Sequence, residues 1–135
     1  MKFSLTKNDS ADIGLASTAL TAGAISFEEF QSWINFVVEH AEDPPHYIFD
    51  LMDWDRTEVT FISQVIGWWP SADLKDAESD ALVGIGFIRN LRGFDDHLSR
   101  EEAIAILQAN IKVVEQMRAL MPFIDWDREV PIHAF

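Results

Sequence analysis

Residues 26–45, SFEEFQSWINFVVEHAEDPP, constrain this chain more than any other stretch, because one run carries a helix start, an apolar face and a helix stop. Ser26 and Glu29 have the S-x-x-E spacing of a capping box, in which the hydroxyl and the carboxylate satisfy two backbone N–H groups left unpaired at a helix start. The spacing predicts a helix from Phe27. Phe30, Trp33, Ile34, Val37, Val38 and Ala41 then recur at steps of three and four, which lines them along one face. Glu28, Gln31, Ser32, Asn35, Glu39 and Glu42 fall on the opposite, wet face. Pro44 and Pro45 end the run, since proline lacks the N–H of the next turn and restricts the residue before it. About four turns result, a rod of roughly 24 Å.

The rest of the chain follows the same pattern and predicts an all-α, single-domain bundle of about five helices over residues 1–135. Residues 1–8 form an extended or pinned lead-in. Asn8, Asp9 or Ser10 caps a first helix to about Thr21, with Ile13, Leu15, Ala16, Ala19 and Leu20 inward and Gly23 just past its end. After the prolines, one or two turns would face Ile48, Phe49 and Met52 inward and leave Tyr47, Asp50, Asp53, Trp54 and Asp55 near the surface. A third helix is expected over 58–69, EVTFISQVIGWW, burying Phe61, Ile62, Val65, Ile66 and Trp69 and stopped by Pro70. A strand competes there because β-branched residues are frequent. A fourth helix is expected over about 76–91, with Ala81, Leu82, Ile85, Ile88 and Leu91 buried and Gly84 and Gly86 packed closely against a neighbour. Ser99 and Glu102 repeat the capping-box spacing before a last and longest helix to about Leu120, and Pro131 argues against another helix in the tail.

Twenty-three acidic against ten basic side chains give a formal net charge of −13, a field that repels nucleic acid and anionic lipid. Neither nucleic acid nor membrane is therefore an expected partner. A chain of 135 residues with 48% hydrophobic residues can build a core without staples, and the lack of cysteine removes disulfides, thiolate nucleophiles and zinc-finger sites. No run has the length and hydrophobicity of a signal peptide or membrane span, so a soluble cytoplasmic protein is expected. Charge is also unevenly distributed. Residues 39–58 hold Glu39, Glu42, Asp43, Asp50, Asp53, Asp55 and Glu58 against a single Arg56, and a partner of opposite sign would relieve their mutual repulsion.

No catalytic constellation accompanies this segment, so no enzyme activity and no cofactor are expected. His40 and His46 flank the acidic run and Asp95-Asp96-His97 lie adjacent, but none has the spacing of a metal site. An EF-hand reading from Asp53 fails, because Glu58 stands where the loop needs glycine and Gln64 where it needs glutamate. Asp53-Trp54-Asp55-Arg56 recurs as Asp125-Trp126-Asp127-Arg128, either as shared turn chemistry or as a paired recognition surface. Aromatic side chains within a charged rim have the composition of an interface hot spot, which singles out Trp54 and Tyr47.

Residues 23–55, GAISFEEFQSWINFVVEHAEDPPHYIFDLMDWD, resemble the acidic helical immunity proteins of bacterial toxin–immunity systems, including those of contact-dependent growth inhibition. The resemblance lies in a small cysteine-free acidic chain, a capped helix reading S-x-E-E-F, and a proline-marked turn into an aromatic and acidic segment. It implies a cytoplasmic inhibitor without activity of its own that binds one basic toxin domain, usually a nuclease. By position it assigns the partner-binding role to Glu39, Glu42, Asp43, Tyr47, Asp50, Asp53, Trp54 and Asp55. The chain would be a monomer or weak homodimer. Two other readings stand beside it: a small helical enzyme or ligand-binding domain, and a structural protein that self-associates through Trp68 or Trp54.

Overall fold

The computed structural model describes residues 2–55, 62–91 and 98–131. Among the described residues the chain forms eight helices and no strand: α1 (Ala11–Ala22), α2 (Phe27–His40), α3 (His46–Met52), α4 (Ile62–Ile66), α5 (Asp76–Arg89), α6 (Arg100–Ala109), α7 (Lys112–Leu120) and α8 (Trp126–Glu129). The all-α expectation is met, with more and shorter helices than the periodicity suggests. Two compact units divide the chain, one of Met1–Ser17 with Phe27–Asp73 and one of Thr18–Ser26 with Leu74–Phe135, so that α1 contributes to both.

In the first unit α2 buries Phe30, Trp33, Ile34 and Val37, the stripe its spacing predicts. It packs on α3, and α3 packs on α4. Gln31, expected on the wet face, instead donates from Nε2 to the Leu51 carbonyl at 3.0 Å and ties α2 to the last turn of α3. The lead-in is pinned: Leu5 is buried, the Ser4 carbonyl accepts the Asp12 and Ile13 N–H groups, and the Ser4 N–H donates to Asp12 Oδ2 at 2.7 Å. Ser10 is buried too, and its hydroxyl exchanges hydrogen bonds of 3.0 Å with the Ser71 N–H and carbonyl. The described part of the third predicted helix ends at Ile66, short of Pro70. Gly67 follows at φ +88°, a left-handed position that only glycine enters readily, and it stops the helix before Trp69 can share its phase. Trp69 is consequently 76% exposed rather than buried. Residues 56–61, Phe61 among them, lie outside the described residues.

The second unit is organised on the packing of α5 against α6. A Cβ built on Gly84 would lie 2.6 Å from the Ala103 carbonyl oxygen and 2.9 Å from Leu107 Cβ, so the absence of a side chain at 84 sets how closely the helices approach. Gly84→Ala gains helix propensity of up to about 1 kcal/mol but must push α6 backbone aside, and a net loss of about 2 kcal/mol is expected from overpacking. Urea denaturation of the variant measures it. At its end α5 stops at Arg89, with Asn90 in the left-handed conformation at φ 59°. The helix thus stops before Leu91, which is exposed where burial was expected.

The single long helix expected over 100–120 is two. Ser99 and Glu102 form the predicted capping box at the start of α6. Asn110 then breaks the ladder: its side chain donates to the Ile106 carbonyl at 2.9 Å, its own N–H turns to Leu107 at 3.0 Å, and its backbone leaves the helical region at φ −130°, ψ 42°. A short polar side chain that competes for backbone carbonyls in this way is a natural helix terminator. The tail forms one further turn, α8, despite Pro131, because the Asp125 carboxylate caps it by accepting the Arg128 N–H at 3.3 Å. Trp126 and Val130 are buried from this segment.

Glu78 supplies a pH dependence. Its carboxylate accepts the Lys75 N–H at 3.0 Å and lies 3.7 Å from Lys112 Nζ, and the backbone hydrogen bond is the main cause that holds its pKa below the ordinary glutamate value. A carboxylate depressed in the folded state stabilises the fold above its unfolded pKa, and that contribution is lost as pH falls through the lowered folded value. Wild type is therefore expected to lose more Tm than Glu78→Gln between about pH 6 and about pH 3, as measured by thermal denaturation.

Candidate partner-binding surface

The eight residues singled out in the sequence all belong to the first unit, on the end of α2, the α2–α3 connection, α3 and the residues just after it. Six are carboxylates, and all six are exposed: Glu39 in the last turn of α2, Glu42 and Asp43 before the prolines, Asp50 on α3, and Asp53 and Asp55 beyond it. Residues 39–55 contain no Lys or Arg. Local order comes from the backbone: the Asp53 N–H closes α3 onto the Asp50 and Leu51 carbonyls, and His46 Nε2 stands 3.9 Å from Asp50 Oδ1, one turn along.

The two aromatic residues of the predicted set have internal duties instead. Trp54 is 7% exposed, and its ring meets Phe27 and Phe30 edge-on, with centroids 5.4 and 6.0 Å apart. This corrects its expected surface placement. Asp53 and Asp55 remain in water while the indole between them inserts, so the charged neighbours bear no desolvation cost. Tyr47 is half-buried, donates its hydroxyl to the Leu5 carbonyl, and sets its ring edge-on to Trp68 at 5.8 Å. Burial pushes the phenol well above its ordinary pKa and so keeps it a donor. Tyr47→Phe is expected to cost about 1 kcal/mol and to loosen the lead-in, readable as faster amide exchange at residues 4–6.

Within this segment Phe49 and Met52 reach the surface, 44% and 41% exposed, in contrast to the inward placement that the spacing predicts. Three positions apart on α3, they share one face, and each is followed directly in sequence by an exposed carboxylate, Asp50 and Asp53. α3 carries two apolar stripes of equal spacing, Ile48 with Leu51 and Phe49 with Met52, and the first is buried. A signal was present: Trp54 extends the first stripe by a further step of three, giving three apolar positions in one register. An exposed aromatic and a methionine with acidic neighbours have the composition of a surface that docks protein.

The second Asp-Trp-Asp-Arg run buries its tryptophan as well. Trp126 Nε1 donates to the Met121 carbonyl at 3.0 Å, Asp125 caps α8, and Asp127 takes an ion pair of 2.8 Å from Arg118. Arg56 of the first run lies outside the described residues, as do Asp95, Asp96 and His97. No group of three or more His, Asp or Glu among the described residues could hold a metal ion, and no helix among them is long and apolar enough to cross a membrane. The chain matches no protein-family model, and neither curated proteins nor solved structures give a significant match.

Proposed function

We propose that this chain is an immunity protein that binds a basic cognate toxin domain, most specifically a nuclease, and neutralises it by stoichiometric inhibition. The observation that supports this reading is the outer face of α3, where Phe49 and Met52 stand exposed, each next to an exposed Asp, within a run that bears six carboxylates and no Lys or Arg. The acidic field accelerates encounter with a basic surface, and the apolar pair, once desolvated, sets the lifetime of the complex. Covering a nuclease's substrate groove with negative charge suffices for inhibition, so no group on this chain has to reach the scissile bond.

Co-expression with the toxin domain encoded beside this chain tests the proposal. Growth restored in the presence of the chain, with a one-to-one complex on purification, is the expected result. A harmless neighbour, or a toxic one that this chain neither rescues from nor binds, overturns it. Self-association, expected through Trp68 or Trp54, is the second reading; Trp54 is buried and Trp68 is half-buried against Tyr47, so the exposed ring that favours it is that of Trp69. It requires a mass that rises with concentration in sedimentation, which Trp69→Ala abolishes.

A further inference from the structure

Beside α3 in the first unit lies a groove of about 560 Å³ that shares Glu42 and Asp43 with the acidic run but lies apart from Phe49 and Met52 in its lining. Phe3 and Leu5 line it from the pinned lead-in, and Glu42, Asp43, Pro44 and Pro45 line it from the α2–α3 connection. Three features define what it accepts. Its apolar surface comes from a phenyl ring, a leucine and two pyrrolidine rings, which favour aliphatic stems. Its charge comes from two exposed carboxylates just past the end of α2 against one lysine, Lys2, and the terminal carbonyls of α2 add partial negative charge of their own. Its backbone is acceptor-rich, because Pro44 and Pro45 present no N–H. A cation on an apolar stem meets all three, and among protein groups that means arginine or lysine. At this volume, within the range of small-ligand sites, the groove holds more than one side chain.

We infer that the groove between the lead-in and the α2–α3 connection takes a short extended segment of the partner in which arginine or lysine alternates with an aliphatic residue. The inference rests on the reading of the chain as an inhibitor of a basic protein and names the part of that protein which enters here. Lys2 also lines the groove and opposes the incoming cation, which gives the assignment a signature that bulk acidity lacks.

The test is titration of the whole chain with acetyl-Arg-Leu-Arg-amide, followed by amide NMR shifts, alongside acetyl-Arg-Gly-Arg-amide of equal charge. Shifts concentrated at residues 2–6 and 41–43 are expected, with weaker binding of the glycine peptide. Glu42→Gln with Asp43→Asn lowers affinity about five-fold, the effect of two exposed charge pairs, whereas Lys2→Ala raises it about two-fold. Equal binding of the two peptides, shifts spread over the other acidic surfaces, or no loss in the double variant overturns the assignment. The same double variant separates the two proposals. If the cognate toxin domain binds it as tightly as wild type, the groove assignment falls and the inhibitor reading stands. If the peptide binds in the groove but the toxin domain does not bind the chain, the inhibitor reading falls and the groove remains a site for cationic peptides.

Discussion

Phe49→Ser combined with Met52→Ser is expected to weaken toxin binding by roughly 3 kcal/mol, about 100-fold, while stability changes by less than about 1 kcal/mol. The asymmetry follows from where the two side chains are. Each is already more than two-fifths exposed in the isolated chain, so their removal takes little from the folded state. In the proposed complex the same two side chains are covered beside exposed carboxylates, and truncation there loses both the buried area and the exclusion of water from the neighbouring charge pairs. The loss should lie mainly in a faster dissociation rate, whereas Asp50→Asn and Asp53→Asn should mainly slow association and reduce its salt dependence. Trp54→Ala should behave in the opposite way. Its ring is packed against Phe27 and Phe30, so its removal destabilises the first unit and affects binding only through the fold. Calorimetric titration beside thermal denaturation of the same variants separates the two behaviours.

The largest effect on stability is expected in the second unit, from Trp126→Ala, at about 4 kcal/mol and a fall in Tm of roughly 15 °C. Trp126 is 1% exposed, and three things depend on it. Its ring fills the space under the tail, its Nε1–H satisfies the Met121 carbonyl past the end of α7, and its face lies 5.4 Å from the Arg89 guanidinium. That guanidinium is itself almost buried, held by Glu129 at 3.0 Å and by the Ala24 carbonyl at 2.8 Å, so loss of the ring removes one wall from a charge that has little water to fall back on. Trp126→Phe keeps most of the packing and a ring for Arg89 but loses the hydrogen bond, and about 1–2 kcal/mol is expected. Urea denaturation of both variants checks the order; an alanine variant no less stable than the phenylalanine variant would show that packing of the ring is not what the tail contributes.

Legibility in the sequence follows the length over which a pattern runs. The α2 stripe spans four turns between a cap and two prolines, and Phe30, Trp33, Ile34 and Val37 are buried as the spacing requires. The same holds for Ala81, Leu82 and Ile85 on α5. Where an element is two turns long, phase is ambiguous: within α3 the Ile48–Leu51 and Phe49–Met52 stripes satisfy the same rule, and the sequence separates them only through Trp54, beyond the helix, in the register of the first. Breaks within a continuous apolar pattern were hidden for a related reason. Asn110 ends α6 through its own side chain, and Gly67 ends α4 through a left-handed backbone, neither of which disturbs the spacing of the apolar residues around it. The acidic half of the candidate surface was legible, since six charged side chains in a short segment find water whatever the fold. Its apolar half was not, because Trp54 and Tyr47 resemble anchors by their neighbours in sequence and are instead bound to Phe27, Phe30, Leu5 and Trp68 by their neighbours in space.

Hydroxyl-radical footprinting of the chain, alone and bound to its cognate toxin domain, tests the central claim most directly, because it reads the side chains on which the claim depends. Phe49 and Met52 should be oxidised in the isolated chain and protected in the complex, while Trp69 and Phe123, also exposed, stay as reactive as before. Protection of Trp69 or Phe123 with Phe49 and Met52 unchanged would place the partner elsewhere and contradict the account.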